Sequence, residues 1–414
     1  MVLSIIILER TRPVVEQFIH PEQCGFRRKR GTADAVWAHR MIVSKALKYN
    51  TKFHILGLDM SKAFDTVNRS KLLEVLSSFL DSDSIILIRM LMENTTNRIR
   101  LENTLGENIQ VTHGVPQGDS LSPVLFTIYL KAVLQDLEEE LIKRGFDIEI
   151  IHYILYADDT DFISLDETLI GQLEAISQTV FAKWCLKVNP LKTEHTVVSK
   201  TQTEWHKTRK LGSLLKESED FCKQKQAAEI VFNQLWFLWK KNNNLPEKLR
   251  LRLYKTLVRP VLLYNMNTWG STIVQFKKLE SFERRLLRRV LGIYYPNHLS
   301  NEEVYKRSNM NLIRLDAFHA RWKLFRKVLQ MPDDVPAMYW TRDYFRNEGL
   351  SKFKGKPNVT LMSTLQSDLQ SIHFPLDTEE NLNLLQSIAN FDDPTKPNWE
   401  TLVKDMASQM SQVI

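Results

Sequence analysis

The segment Tyr156-Ala157-Asp158-Asp159 decides the fold, because it sets two adjacent carboxylates between two apolar runs. Residues 149–155 and 161–165 have the length and composition of short β-strands, so the acidic pair is predicted to lie in the turn of a hairpin. Neighbouring carboxylates on a tight turn repel each other unless a cation or water screens them. Taken alone, such a turn is most often a solvated hairpin tip.

A third carboxylate, Asp59, follows a separate apolar run at residues 53–58, which is predicted to be a buried strand. Burying a carboxylate there is costly unless it is paired or binds a cation. The alternative is that Asp59 caps the helix that follows. Three carboxylates that converge from two strands suit a pair of Mg²⁺ ions. Two such ions, about 3.5–4 Å apart, activate a 3′-hydroxyl and stabilise a leaving pyrophosphate.

The remaining periodicity predicts mostly helices around these strands. Helical spacing covers the following ranges: 14–48 with a loop at 20–32, 70–91, 122–137, 167–184, and almost all of 215–330. Residues 98–101 and 109–112 are predicted to pair as strands. Strands and helices mix without strict alternation, which favours an α+β fold over a doubly wound sheet.

Composition narrows the class of protein. The 414 residues are 43% hydrophobic and 25% charged, which excludes collagenous, mucin-like and wholly disordered chains. Three cysteines make neither a disulfide scaffold nor a zinc motif, so a reducing, intracellular compartment is predicted. No apolar run reaches the roughly 18 residues that span a bilayer. Residues 2–8 are apolar but lack a basic stretch before them, so neither a signal peptide nor a membrane partner is predicted.

Charge is distributed unevenly along the chain. Residues 205–300 contain 19 Lys and Arg against 7 Asp and Glu, a net charge of +12. Residues 331–414 contain 7 against 12, a net charge of −5. Clustered positive charge predicts a polyanionic partner such as nucleic acid. The alternative is a solvated helical surface.

Five stretches, in this order, resemble the motifs of reverse transcriptases from non-LTR (LINE-like) retrotransposons. They are residues 24–35 (Cys-Gly-Phe-Arg-Arg-Lys-Arg-Gly-Thr-Ala-Asp-Ala), 58–65 (Leu-Asp-Met-Ser-Lys-Ala-Phe-Asp), 114–123 (Gly-Val-Pro-Gln-Gly-Asp-Ser-Leu-Ser-Pro), 156–159 (Tyr-Ala-Asp-Asp) and 186–193 (Leu-Lys-Val-Asn-Pro-Leu-Lys-Thr). The third and fourth together are highly specific. Further likeness at 259–264, 268–269, 284–292 and 300–304 extends the resemblance over about residues 10–330.

The resemblance implies a metal site. Asp59 and Asp158 match the family's metal-binding aspartates, Asp159 matches the neighbour in the acidic turn, and the backbone carbonyl of Met60 is a further ligand. Two Mg²⁺ ions are expected, with Mn²⁺ as a substitute. Lys192 matches a lysine that protonates the leaving pyrophosphate, which is worth about 10²–10⁴-fold in rate.

The resemblance also implies a nucleotide site. Phe64 matches the aromatic residue whose ring excludes the 2′-hydroxyl of ribonucleotides; the alternative is an ordinary core aromatic. Gln117 and Gly118 match the loop that lies along the templating base and the incoming nucleotide. A small residue is needed where backbone approaches a ligand closely. The alternative is a plain turn that leads into a capped helix.

Contacts to template and primer are expected from Arg27 and Arg30 before the first strand, from Gly212 in a primer-grip turn, and from Lys240 and Arg285 in the basic block. Lys241, Arg284, Arg288 and Arg289 are further candidates for phosphate contacts. Duplexes of A-form are gripped mainly through their backbone and shape. The aromatic residues Trp236, Phe237 and Trp239 are expected to lie in the core rather than to form stacking platforms, since Trp236 and Trp239 have helical spacing.

The expected architecture is an α+β right-hand polymerase fold. It comprises partial fingers (1–52), a palm with an antiparallel sheet (53–212), a helical basic thumb (213–330) and an acidic C-terminal region of unknown role (331–414). Few residues precede Gly25, and Arg10, Arg12 and His20 are the basic ones among them, so the fingers are expected to be truncated.

The expected function is RNA-directed DNA polymerisation, with an RNA template, a DNA primer and deoxynucleoside triphosphates as partners, in the nucleus where integrating elements act. One alternative is a catalytically inactive nucleic-acid-binding relic. Another is a two-metal nuclease, which has no use for Phe64 or for the motif at residues 114–118.

Overall fold

The computed structural model describes residues 2–240, 245–346, 350, 355, 358–390 and 398–412. The chain forms two compact units. Unit 1 comprises Met1–Ala35 and Lys52–Val198, and unit 2 comprises Val36–Thr51 and Ser199–Ile414. The predicted functional division into fingers, palm, thumb and tail stays a prediction.

Unit 1 is built from the first part of the chain. Its elements are α1 (Val2–Phe18), the start of α2 (Thr32–Tyr49), β1 (Phe53–Leu58), α3 (Ala63–Thr66), α4 (Arg69–Ser77), α5 (Ser82–Met92), β2 (Thr96–Asn97), β3 (Arg100–Leu101), β4 (Thr104–Leu105), β5 (Ile109–Gln110), α6 (Ser122–Lys143), β6 (His152–Tyr156), β7 (Asp159–Ser164), α7 (Glu167–Lys183) and β8 (Glu194–Val198).

The main sheet of unit 1 has the strand order β6-β7-β1-β8, and all its pairs are antiparallel. β1 lies in the middle and is almost wholly buried, as its apolar sequence predicts. Helices α6 and α7 pack together, and α7 lies against β1 and β7. α6 is apolar on most of its circumference and supplies much of the core. This confirms the predicted α+β class with an antiparallel sheet.

Two sequence expectations in unit 1 were wrong in detail. The helical pattern at 70–91 belongs to two helices, α4 and α5. The side chain of Asp81 accepts a hydrogen bond from the backbone N–H of Ser84, so a new helix begins there. The hairpin after α5 also pairs differently. β5 pairs with β2, and β3 pairs with β4 across a tight turn. The short strands are exposed, so no buried face fixes their register in the sequence.

Unit 2 is predominantly helical, as predicted for residues 215–330. Its elements are the remainder of α2, β9 (Arg209–Lys210), β10 (Ser213–Leu214), α8 (Glu217–Gln234), α9 (Glu247–Leu253), α10 (Arg259–Leu262), α11 (Ile273–Val290), α12 (Asn301–Ser308), α13 (Ile313–Leu329), α14 (Pro336–Asp343), α15 (Leu361–Gln370), α16 (Glu379–Asn390) and α17 (Trp399–Gln412). In the described part of the chain, no helix is both long and apolar enough to cross a membrane.

Candidate active site

The three predicted carboxylates meet at one end of the main sheet. The antiparallel register pairs Leu58 with Thr160, so the next residue, Asp59, comes alongside Asp159. Tyr156 pairs with Asp159, which leaves Ala157 and Asp158 as the two-residue turn between β6 and β7. Asp59 and Asp158 are half-buried and Asp159 is exposed. Register alone therefore brings together residues that are about a hundred positions apart in the sequence.

The segment that leads into the first motif supports the acidic turn. Residues 22–25 run along the edge of β6, where the N–H of Cys24 donates to the carbonyl of Leu155 at 2.7 Å. The side-chain oxygen of Gln23 accepts from the N–H of Gly25 at 2.8 Å and from the N–H of Ala157 at 3.2 Å. A Cβ on Gly25 would lie 2.5 Å from the nitrogen of Ala157, so only glycine fits here.

The backbone carbonyl of Met60 is not used in the antiparallel bridge that this residue forms. Met60 pairs with Val188 in an antiparallel bridge. The flanking hydrogen bonds run from the N–H of Asn189 to Asp59 and from the N–H of Ser61 to Lys187, both at 2.8 Å. In this arrangement the central pair is not hydrogen-bonded, and its N–H and C=O groups point away from each other. The carbonyl of Met60 therefore points to the side on which β7 lies.

Lys192 lies at the same corner. Its Nζ is 3.4 Å from Oδ2 of Asp59, and the lysine side chain is 65% exposed. The turn that carries it is organised by Asn189, whose carbonyl accepts from the N–H of Lys192 and whose side chain accepts from the N–H of Leu191. A cation thus already lies against one of the predicted metal ligands.

The predicted metal ligands fit magnesium in their chemistry. Asp59, Asp158 and the carbonyl of Met60 offer only oxygen donors, which hard divalent cations prefer. The ammonium of Lys192 beside Asp59 shows that the corner attracts positive charge. Across the described residues, no group of three or more His, Cys, Asp or Glu side chains is arranged to hold a metal ion. The ligand set of Asp59, Asp158 and the carbonyl of Met60 stays a prediction.

The predicted nucleotide-site residues belong to the same unit. The ring of Phe64 stacks on Phe126 with centroids 4.7 Å apart and meets Phe26 edge-on at 6.4 Å. Phe64 is half-buried, so one part of its ring is in the core and another part is accessible. Both interpretations of Phe64, core aromatic and ligand contact, are compatible with this placement.

The loop at residues 114–118 is fastened to the motif that follows Asp59. The N–H groups of Gly114 and Val115 donate to Val67 and Phe64 at 2.8 and 2.9 Å. Gly114 has a φ of +80°, and a Cβ there would lie 2.8 Å from the carbonyl oxygen of Asp65. Beyond it, Nε2 of Gln117 donates to Oδ1 of Asp65 at 2.8 Å. Glycine is thus required at position 114 for both conformation and space.

Arg69 secures this loop, and the sequence motifs gave no signal for it. Its Nε donates to Gly114 at 2.8 Å. Its Nη1 donates to the carbonyls of Val111 at 2.9 Å and Met92, and to Oγ1 of Thr95 at 3.0 Å. Burial lowers the pKa of the Arg69 guanidinium. Arg69 also lines a cleft of about 690 Å³ beside the loop.

The residues predicted to bind template and primer are dispersed. Arg27 is largely buried and donates to Glu16 at 2.9 Å, while Arg30 lies in the same loop of unit 1. Gly212, Lys240 and Arg285 belong to unit 2.

The residues predicted to bind template and primer in unit 2 have internal contacts of their own. Gly212 forms the tip of the β9–β10 hairpin with a φ of +81°. The ammonium of Lys240 lies over the Trp236 ring, and Arg285 pairs with Glu229 at 2.7 Å. Lys241 lies outside the described residues. Whether these side chains contact nucleic acid stays a prediction.

The expectation that Trp236 and Phe237 lie in the core was wrong. Trp239 is 3% exposed, but Trp236 and Phe237 are 56% and 53% exposed. The reason is that α8 ends at Gln234 and residues 236–238 form a 3₁₀ turn. The helical pitch that would place positions 236 and 239 on one face therefore does not continue.

Comparison with known proteins finds similarity to reverse transcriptases. Residues 2–226 match the family model described as reverse transcriptase (RNA-dependent DNA polymerase). Over 319 residues the chain is 24% identical to the RNA-directed DNA polymerase from mobile element jockey of Drosophila funebris, covering 70% of this chain and 34% of the relative. It is 24% identical to the Pol polyprotein of a type-1 retrotransposable element R2 of Popillia japonica, covering 73% of this chain and 45% of that protein.

A solved structure of telomerase from Candida Tropicalis with a fragment of telomeric RNA superposes with a TM-score of 0.40 at 14% identity, covering 82% of this chain and 55% of that one. The chain spans between a third and a half of the length of the curated relatives named above. The match to the reverse transcriptase model nevertheless covers more than half of the chain. The predicted resemblance to the polymerases of non-LTR elements is confirmed by the jockey and R2 relatives. The chain belongs to the reverse transcriptase (RNA-dependent DNA polymerase) family.

Proposed function

We propose that this chain adds deoxynucleotides to the 3′-hydroxyl of a DNA primer under the direction of an RNA template. The observation that carries the proposal is the register of β1 and β7. It brings Asp59 alongside the turn of Asp158 and Asp159, with the carbonyl of Met60 on the same side.

Asp59, Asp158 and the Met60 carbonyl are the proposed ligands of two divalent cations, Mg²⁺ or Mn²⁺. When bound, such ions acidify a hydroxyl nucleophile and neutralise charge on a transferring phosphoryl group. Asp159 adds negative charge next to these ligands and favours cation binding electrostatically.

Four further residues have proposed roles that do not involve the metal. The ring of Phe64 blocks a 2′-hydroxyl, because its stacking on Phe126 prevents the ring from moving aside. Gln117 and Gly118 lie along the nucleotide, in a loop that Arg69 and Asp65 hold in place. The ammonium of Lys192 delivers a proton to the leaving pyrophosphate.

Template and primer are the proposed partners of the basic side chains. Arg27 and Arg30 in unit 1, and Gly212, Lys240 and Arg285 in unit 2, are proposed to contact the nucleic-acid backbone. The net charge of +12 over residues 205–300 supports a polyanionic partner. The proposed reaction belongs in the nucleus, where integrating elements find chromosomal DNA.

Primer extension tests this proposal. The purified chain is incubated with poly(rA)/oligo(dT), dTTP and Mg²⁺ beside the variants Asp158→Ala and Asp83→Ala. Asp83 is an exposed carboxylate at the start of α5 and serves as the matched control. The expected result is extension by the wild type and the Asp83 variant, and none by Asp158→Ala.

Two results would contradict the proposal. If neither the wild type nor Asp158→Ala extends the primer, but both bind the heteroduplex in a salt-dependent manner, the chain is a binding protein without polymerase activity. If Asp158→Ala extends as well as the wild type, Asp158 is not a metal ligand.

A further inference from the structure

The turn at Trp236–Leu238 exposes two large aromatic side chains. Trp236 is 56% and Phe237 53% exposed, although aromatic residues of this size usually contribute most of their area to a core. The turn itself is well anchored. The Trp239 ring stacks on Phe232 with centroids 5.2 Å apart, and its Nε1 donates to the carbonyl of Phe232 at 3.0 Å. The fold therefore holds the turn through Trp239 and leaves Trp236 and Phe237 directed outward.

A second loop with an exposed aromatic residue is fastened to the same turn. The hydroxyl of Tyr294 donates to the carbonyl of Trp239 at 2.7 Å. The next residue, Tyr295, is 87% exposed. The guanidinium of Arg250 packs close to Gly292, at the start of this loop. Three exposed rings are thus carried by two loops that a hydrogen bond joins.

The charge around these rings is positive. Nζ of Lys240 lies 4.5 Å from the centroid of Trp236. Two acidic residues, one on α8 and one on α9, are paired with arginines. Glu229 pairs with Arg285 at 2.7 Å and Glu247 pairs with Arg307 at 2.5 Å. Proteins bind single-stranded nucleic acid with this combination of exposed aromatic rings and adjacent positive charge.

We propose that Trp236, Phe237 and Tyr295 form a stacking platform for unpaired bases of single-stranded RNA or DNA, with Lys240 and Arg250 meeting the phosphates. The platform goes beyond the proposed polymerase reaction, because it requires neither the carboxylates nor a paired primer. Stacking on aromatic faces tolerates any base, so the platform binds without sequence preference. A protein partner would instead be expected to meet an apolar patch whose centre is depleted of charge.

Fluorescence anisotropy with two labelled oligonucleotides tests the platform. One is an oligo(dT) 20-mer, and the other is an abasic 20-mer with the same phosphates but no bases. The full chain carries Asp158→Asn, so that catalysis plays no part. We expect Trp236→Ala and Phe237→Ala each to weaken oligo(dT) binding about tenfold. Binding of the abasic strand should change less than twofold.

Matched variants separate stacking from other effects. Trp236→Phe keeps an aromatic face and should retain most of the affinity for oligo(dT). Val274→Ala removes an exposed apolar side chain from the start of α11 and should have no effect.

The proposal is overturned if the wild type binds oligo(dT) no more tightly than the abasic strand. Equal losses for both strands in Trp236→Ala would also overturn it. A third contrary result is that Trp236→Ala abolishes self-association in light scattering but leaves oligonucleotide binding intact, since the surface is then a protein interface. Because none of these measurements requires primer extension, they are independent of the polymerase assay.

Discussion

Two pairs of carboxylates in this chain differ in their burial and in the hydrogen bonds that the protein donates to them. Asp59 and Asp158, at the end of the sheet in unit 1, are half-buried, and Asp59 meets a mostly exposed ammonium, that of Lys192. Asp220 and Glu217, in unit 2, are 0% and 4% exposed and accept hydrogen bonds on both oxygens. The carboxylates proposed to bind metal are accessible at strand ends, whereas the buried ones accept hydrogen bonds from donors within the fold.

Asp220 joins three segments of unit 2. Its Oδ2 accepts from Nη2 of Arg40 at 3.0 Å and from Nε1 of Trp269 at 3.1 Å. Its Oδ1 accepts from the N–H of Leu214 at 2.9 Å. The side chain of Arg40 is only 1% exposed, so its charge depends on this partner for compensation.

Glu217 draws the C-terminal region into the same core. Its two oxygens accept from the N–H groups of Gly270 and Leu361, both at 2.9 Å. Leu361 is the first residue of α15, in the acidic C-terminal region. Residues 331–414 therefore contribute part of the core of unit 2.

The largest expected effect is on catalysis. Asp59→Asn should lower the rate of primer extension by at least about 10³-fold, because losing a metal ligand removes several kcal/mol of charge stabilisation. The free energy of unfolding should change by less than about 0.5 kcal/mol, since the Lys192 ammonium that pairs with Asp59 is mostly exposed. Steady-state extension and urea unfolding measure the two quantities. A large loss of stability would show that Asp59 is a structural carboxylate.

Asp220→Ala, in contrast, should mainly lower the free energy of unfolding. Removing this carboxylate leaves Arg40 buried without its partner, which costs about 3–5 kcal/mol in the free energy of unfolding. Urea unfolding followed by tryptophan fluorescence measures this loss. The matched control is Asp333→Ala, because Asp333 pairs with Arg342 at 3.1 Å but is 65% exposed. That variant should change stability by less than about 1 kcal/mol. Similar values for both variants would contradict the comparison.

The buried carboxyl of Glu217 should make the free energy of unfolding depend on pH. Burial raises the pKa of its carboxyl to about 7, and the charge of Arg40 and the two N–H donors oppose this shift only in part. Between pH 4.5 and 7 the folded chain therefore holds this proton more tightly than the unfolded chain does. The contribution to stability is present below pH 4.5 and is lost as pH rises through 7, by about 3 kcal/mol in total.

Unfolding free energies of the wild type and Glu217→Gln between pH 5 and 8 test this dependence. The wild type should lose stability relative to Glu217→Gln as pH rises, whatever the offset between the two curves. Parallel curves would mean that Glu217 titrates in the folded chain as it does in the unfolded one.

The difference between the two pairs also explains what the sequence could predict. The sequence marks each of the three carboxylates locally, because each one ends or follows an apolar run. The hairpin of β6 and β7 and the pairing of β7 with β1 then bring them to one end of the sheet. Asp220 has its partner Arg40 at a distance of 180 residues, and Glu217 bonds to Leu361 across 144 residues. No periodicity or motif reports such contacts. The role of Arg69 could not be predicted either, because its hydrogen-bond acceptors are spread over residues 92–114.

Lys192→Met tests whether Lys192, beside Asp59, acts as a general acid. The variant keeps the length of the side chain and removes its proton and charge, so extension should slow by about 10²-fold if Lys192 acts as a general acid. Single-turnover extension should show the loss in the rate of nucleotide addition. A merely electrostatic role would weaken nucleotide binding and leave the maximal rate unchanged.

The smallest expected effect concerns the β9–β10 hairpin, which contains the predicted primer-grip turn. The hydroxyl of Tyr264 donates to the carbonyl of Leu211 at 3.0 Å, and its ring packs against Gly212. Tyr264→Phe keeps the ring and removes the hydrogen bond, which is worth about 0.5–1.5 kcal/mol. The KM for primer should rise about fivefold with little change in kcat, because a looser hairpin binds the primer less well without altering the carboxylates. A control variant, Val274→Ala, removes an exposed apolar side chain outside the hairpin and should leave the KM unchanged. A fall in kcat with an unchanged KM would show that the hairpin does not contribute to primer binding.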